Sequence, residues 1–222
     1  MEARTAPGRR VEPRWVLVGK SDPTVLERMR RDLSVSAVIA RILINRGISD
    51  SASAHRFLKP SLDQLLDPFL LTDMDLAVDR ILRAIQAGER IMVYGDYDVD
   101  GVTGTSVLLR ALQHLGAEAS FYIPHRTEEG YGISHSGIDE ALRRQVGLLV
   151  SVDCGITANR EIDYARERGI DAIVTDHHQP GVLPRAVAVI NPKREDCPYL
   201  FKELPGVALA FNLLLLVAIL SM

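Results

Sequence analysis

Ile91-Met92-Val93-Tyr94-Gly95-Asp96-Tyr97-Asp98-Val99-Asp100-Gly101 is the stretch whose reading decides the fold. A short apolar run gives way at a glycine to alternating aspartates. A run of this length, ended by a turn signal, reads as a buried strand of a parallel sheet. The same junction recurs further on. Leu148-Leu149-Val150 leads into Ser151-Val152-Asp153-Cys154-Gly155, and Ala172-Ile173-Val174 leads into Thr175-Asp176-His177-His178. In an open α/β sheet, ligands bind outside the carboxyl ends of the strands. Three such ends carrying carboxylates and imidazoles offer hard oxygen and borderline nitrogen donors, the composition of a divalent-metal centre for phosphoester hydrolysis.

Outward from these junctions the rhythm is strand, loop, helix. Strands are expected at Ile91–Gly95, Ala119–Ile123, Leu148–Val152, Ala172–Thr175 and Val187–Ile190, with helices over Thr103–Leu115, Ser134–Arg144 and Ala158–Arg168. Alternation of this kind implies an α/β fold with a parallel doubly wound sheet. Before it, the pattern is helical. Val35, Val38, Ile39, Ile42 and Leu43 recur at helical spacing before Gly47, Ser49 or Asp50 caps a short helix, and Ala77, Ile81 and Ile85 mark the inner face of another over Met74–Gly88. The expected organisation is therefore a disordered leader over 1–14, a helical N-terminal layer over 15–88, and the sheet domain over 89–222.

Bulk properties are those of an ordinary globular chain. The 222 residues are 47% apolar and 25% charged, and 26 basic against 29 acidic residues leave a net charge of −3. No chain-wide basic footprint for nucleic acid exists, and the arginines at 28, 30, 31, 143 and 144 read as solvated helix faces. Cys154 and Cys197 lack CxxC spacing, which argues against a zinc site or a disulfide framework and suits reduced thiols in a cytoplasm. The N-terminal residues contain no apolar segment of the secretory type. The apolar run from Val207 to Leu220 is shorter than the ~20 residues a bilayer span needs, so a buried helix is expected and no membrane association. Its abrupt end at Ser221-Met222 suggests a polypeptide cut inside a domain.

Each junction supports metal chemistry differently. On an extended segment Asp96, Asp98 and Asp100 would share one face, where they repel unless a cation neutralises them. A calcium loop would need Glu at its twelfth position; counting from Asp96 or Asp98, Val107 or Leu109 stands there instead. Thr103-Gly104-Thr105 is expected to open a helix whose N-terminus holds a phosphate oxygen, which makes Thr103 and Thr105 candidate substrate contacts. A carboxylate at Asp153 can bridge two metals. Adjacent histidines at a strand end point in different directions. One is expected to ligate metal, while the other contacts phosphate or donates a proton with Asp176 fixing its tautomer.

These clusters resemble the DHH phosphoesterase superfamily, and the wider sequence resembles its RecJ branch of single-stranded-DNA-specific exonucleases. The resemblance rests also on Leu43-Ile44-Asn45-Arg46-Gly47-Ile48, on Tyr94 through Thr105, on Pro124-His125-Arg126 with Glu129-Gly130-Tyr131-Gly132, and on Ser151 through Ile156. It implies a Mn²⁺- or Mg²⁺-dependent enzyme, with two ions, that degrades single-stranded DNA 5′→3′ in DNA repair and recombination. Single-strand-binding protein and a helicase are the implied partners. Asp98, Asp100, Asp153 and His177 are the implied ligands with Asp96 close by, His178 and Asp176 the catalytic pair, and Arg126 and Tyr131 the substrate contacts.

Two departures accompany the resemblance. Related pyrophosphatases have histidine where Tyr94 stands, so one metal site is expected to be built differently. The family's fourth acidic motif, second substrate domain and oligonucleotide-binding fold lie past the last residue, so residues 1–222 by themselves are expected to show little turnover. The competing readings are a phosphodiesterase or pyrophosphatase acting on nanoRNA, cyclic dinucleotides or pyrophosphate, and a catalytically inactive binding module.

Overall fold

The computed structural model describes residues 22–221. The expected leader over 1–14 lies outside them. The chain forms two compact units, divided after Leu65.

In the first unit, helices α1 (Pro23–Leu33), α2 (Ala37–Asn45) and α3 (Ser51–Leu58) pack around Met29, Ala40, Leu43 and Ala54. Each start is capped by a side chain: Asp22 accepts from the Thr24 amide, Ser36 from Ile39 and Asp50 from Ser53. The apolar spacing of α2 does not mark a core face. Val38 is 68% exposed and Ile42 50%, because the small core is filled by Ala40 and Leu43.

The second unit contains helix α4 (Met74–Ala87), strand β1 (Arg90–Gly95), α5 (Val99–His114), β2 (Ala119–Tyr122), α6 (His135–Arg143), β3 (Val146–Val152), α7 (Asn159–Arg166), β4 (Asp171–Thr175), β5 (Ala188–Ile190) and α8 (Gly206–Leu220). The helical layer expected over 15–88 is thus divided. Met74, Ala77, Val78, Ile81 and Ala84 of α4 join the core of the sheet rather than that of α1–α3, because its apolar stripe is long enough to cover strands.

All five strands are parallel, in the order β2-β1-β3-β4-β5. Side chains alternate between faces with the period of the pleat. Ile91, Val93, Leu148, Val150 and Ile173 face a core shared with α4, α5 and α8; Met92, Tyr94, Leu149, Ala172 and Val174 face α6 and α7. Helix α8 is buried through Leu209, Leu213, Leu216 and Val217, and among the described residues no helix is long and apolar enough to cross a membrane.

Candidate metal centre

Strand order reverses between β1 and β3: the chain leaves β1 for β2 on one side and β3 for β4 on the other. Helices α5 and α7 therefore diverge on opposite faces, and a crevice opens at the carboxyl ends of the two central strands. Asp96 follows β1 and Asp153 follows β3.

The first acidic cluster is not extended. Asp98 is the N-cap of α5, accepting from the amides of Asp100 (2.9 Å) and Gly101 (3.0 Å), so the helix begins at Val99 rather than Thr103. The three aspartates therefore do not alternate along a strand, because an aspartate two residues before free amides nucleates a helix more readily than it continues a strand. Thr103 consequently lies in the helix's second turn, where its hydroxyl donates to the Val99 carbonyl (2.5 Å), and Thr105 is buried. Neither is at the phosphate-binding first turn foreseen for it. Asp100 accepts from the amides of Gly206 (2.6 Å) and Val207 (2.7 Å), so it caps α8 across the crevice, while its Oδ2 stays 3.7 Å from His177 Nε2.

Donor atoms of Asp96, Asp98 and Asp153 lie within 4.8 Å of one another, as do those of Asp153, His177 and His178. Asp153 belongs to both groups, the place from which one carboxylate can serve two ions. Asp153 is buried with φ 63°, a left-handed conformation that costs roughly 1 kcal/mol and turns the side chain back over the strand ends. Glycine at 206 permits α8 to approach: a Cβ there would stand 2.6 Å from that of Asp153.

The residues fit a divalent cation. The buried Oδ1 atoms of Asp96 and Asp153 have no hydrogen-bond partner, an arrangement costing on the order of several kcal/mol unless a cation or a proton intervenes. Asp153 Oδ1 is 3.0 Å from His177 Nε2 without hydrogen-bond alignment. Two donors sharing one octahedral ion at about 2.1 Å stand about 3 Å apart. Burial, reinforced by Asp100 and Asp98, pushes the Asp153 carboxyl up to about 7, and burial also raises that of Asp96.

His178 is held from behind. Its Nδ1 is 2.7 Å from Asp176 Oδ1, and the other oxygen of that buried carboxylate accepts from the Ile156 amide (2.9 Å). Asp176 engages Nδ1, which leaves Nε2, 3.5 Å from the Tyr131 hydroxyl, as the ring nitrogen that can engage a ligand. Asp176 thus orients His178 rather than lining the first cluster. Asn191, absent from the sequence-based set, donates to the His178 carbonyl (2.9 Å) and is itself buried. Its only sequence signal was the Asn191-Pro192 stop after β5.

At the lip, the Tyr131 hydroxyl donates to the Asp153 carbonyl (3.1 Å) and its ring meets His178 edge-on. The Arg126 guanidinium lies 5.1 Å above the Tyr97 ring. Tyr94 takes no part in the metal cluster; its hydroxyl donates to the Gly132 carbonyl (3.1 Å) on the α6 face of the sheet.

Residues 90–220 match the model of the DHH family, N-terminal domain. The single-stranded-DNA-specific exonuclease RecJ of Bacillus subtilis is 43% identical over 201 residues, covering 90% of this chain and 25% of that protein. A crystal structure of exonuclease RecJ bound to manganese superposes with a TM-score of 0.62 at 41% identity, over 68% of this chain and 38% of the other. RecJ of Thermus thermophilus in complex with Mn²⁺ gives 0.67 at 32% identity, over 90% and 28%. The chain spans about a quarter of the length of the Bacillus subtilis relative. With its strand order, its aspartates at the ends of β1 and β3 and its Asp176-His177-His178 triplet after β4, the chain belongs to the DHH family.

Proposed function

We propose that this domain is the catalytic core of a metal-dependent exonuclease that hydrolyses phosphodiester bonds of single-stranded DNA from the 5′ end, in DNA repair and recombination. The observation that carries the reading is the pair of buried, unpartnered carboxylate oxygens, Asp96 Oδ1 and Asp153 Oδ1, at the switch point of the sheet. They lie beside an aromatic and cationic lip suited to a nucleotide: Tyr97, Tyr131 and Arg126 offer ring faces for a base and a cation for a phosphate.

Asp96, Asp98, Asp153 and His177 would hold Mn²⁺ or Mg²⁺, with Asp100 bordering the site while it caps α8. A divalent ion there supplies Lewis acidity, drawing charge from the scissile phosphate and acidifying water. His178, with Nδ1 committed to Asp176, presents Nε2 to a phosphate oxygen or to the leaving oxygen. Tyr131 and Arg126 orient the strand. No side chain serves as nucleophile, so no phosphorylated enzyme forms. A single-strand-binding protein and a helicase are the partners that would present the strand, in a cytoplasm where the buried, unpaired Cys154 and Cys197 stay reduced.

The test is degradation of 3′-labelled single strands with free or blocked 5′ ends by the intact protein with Mn²⁺. Mononucleotides released only from free 5′ ends are expected. Equal cleavage of duplex ends, a trapped phosphohistidine at 177 or 178, or turnover confined to dinucleotides would overturn the reading.

A further inference from the structure

Glu129 belongs to neither ion-binding cluster, yet it is densely hydrogen-bonded. It accepts from the His125 amide (2.8 Å), from Tyr122 (2.9 Å to each oxygen), from Ser134 (2.8 Å) and from Ser136 (2.7 Å). Tyr122 ends β2, His125 begins the connection to α6, and Ser134 is the N-cap of that helix. One carboxylate therefore ties the entrance of the connection to its exit. Burial pushes its pKa up, but the His125 amide and the hydroxyls of Ser136, Ser134 and Tyr122 outweigh this and hold it at about 2. Tyr94 adds a second pin, accepting from the Ser134 amide (3.2 Å) and donating to Gly132.

The segment so pinned carries both lip residues. Arg126 stands over Tyr97, and Tyr131 meets Tyr97 and His178 edge-on with centroids 6.4 and 5.7 Å away. Tyr131 is flanked by Gly130 and Gly132 at φ 82° and 85°, so its immediate backbone neighbours supply little stiffness. Both residues are exposed, and although the Tyr131 hydroxyl reaches the Asp153 carbonyl (3.1 Å), the backbone that carries the two side chains is held by ties made elsewhere in the connection.

We infer that Glu129 is a positioning residue for the DNA strand: by closing the connection between β2 and α6 it holds Arg126 and Tyr131 at the spacing from the metal centre that the terminal nucleotide requires. This rests on the reading proposed above. Glu129 contacts neither strand nor ion; it acts through the two lip residues. Its loss degrades binding of the strand and leaves the ions in place.

The experiment is steady-state hydrolysis of single-stranded DNA by the intact protein, with Mn²⁺ affinity by calorimetry in parallel. Glu129→Ala is expected to raise KM roughly tenfold or more, as misplacement of substrate-orienting groups does. It should change kcat and Mn²⁺ affinity much less. Glu129→Gln, which keeps an acceptor for the His125 amide, should recover most of the loss. On an Arg126→Ala/Tyr131→Ala background Glu129→Ala should add nothing, since both changes remove the same interaction. Should Glu129→Ala fold poorly, Tyr122→Phe/Ser136→Ala removes two donors and should move KM the same way. An additive effect on that background, an unchanged KM, or a parallel fall in Mn²⁺ affinity would overturn the inference while Arg126→Ala/Tyr131→Ala still raises KM. If Arg126→Ala/Tyr131→Ala leaves KM unchanged, the path assigned to the strand is wrong and the inference falls with it.

Discussion

The two ends of the sheet treat charge in opposite ways. At the amino ends of the strands carboxylates are matched: Arg80 bonds Glu89 and Asp171 at 2.6 Å each, and Arg90 bonds Glu118 at 2.6 Å. At the carboxyl ends Asp96, Asp98, Asp100, Asp153 and Asp176 crowd together, and among the described residues no lysine or arginine lies within salt-bridge distance of any of them; only His177 and His178 do. The carboxylates at the first edge, all partly solvated, have arginine partners, whereas the buried Asp96 and Asp153 at the second have none. The second edge is therefore built for a cation from solution, and the first for stability.

Removing the unpaired charge should have the largest effect. Asp98→Ala/Asp153→Ala is expected to abolish Mn²⁺ binding and lower DNA hydrolysis roughly a thousandfold or more, since metal stabilisation of the transition state is worth several kcal/mol. Calorimetry with Mn²⁺ and a 5′-end assay check it. Unaltered binding would erase the contrast between the edges.

The next effect is on stability and carries a definite sign. Asp153 titrates at about 7 in the fold against about 4 in the unfolded chain. A raised carboxyl favours the folded state fully below pH ~4, and that advantage is lost as pH rises through about 7. Metal-free protein should thus lose on the order of 2–4 kcal/mol across this window, and Asp153→Asn should flatten the loss. Mn²⁺ should raise the melting temperature of the native chain more at pH 8 than at pH 5.5. Thermal melts in chelator across pH decide it; a native profile that rises between pH 4 and 7 would refute the assignment.

Asn191→Ala should come third. Freeing the His178 carbonyl loosens the triplet, and loss of such supporting bonds typically costs about 10- to 100-fold in metal affinity or activity. Manganese titration and single-turnover rates would register it. Smallest is Arg80→Met at the matched edge. Glu89 and Asp171 remain partly solvated, so about 1–2 kcal/mol of stability should go, with Mn²⁺ affinity unchanged. Denaturant unfolding measures the first and calorimetry the second.

Much of the site was legible because strand ends and acidic residues coincide in sequence. The apolar runs set the strands, and each is followed within a residue or two by Asp96, Asp153 or Asp176. The role of Asp100 was hidden, because the amides it caps lie 106 and 107 residues away. Glu129 sits in a connection away from any strand end, and Asn191, although it directly follows β5, carries no charge and reads as a turn before Pro192. Their partners come from separate elements, and no local spacing marks them. Thr103 and Thr105 looked like a phosphate loop only while the start of α5 was misplaced by four residues.

The sequence by itself determined the parallel α/β sheet, the three strand ends that carry carboxylates and imidazoles, and the metal chemistry that such donors support, because pleat periodicity and donor type are local properties. Tertiary structure alone decided which carboxylates stay unpartnered, that Asp153 stands between two ligand groups, and that α8 closes on them through Gly206. Those depend on strand order and on helix approach. Both are set by how the two faces of the sheet bury their apolar area, which no single stretch of chain encodes.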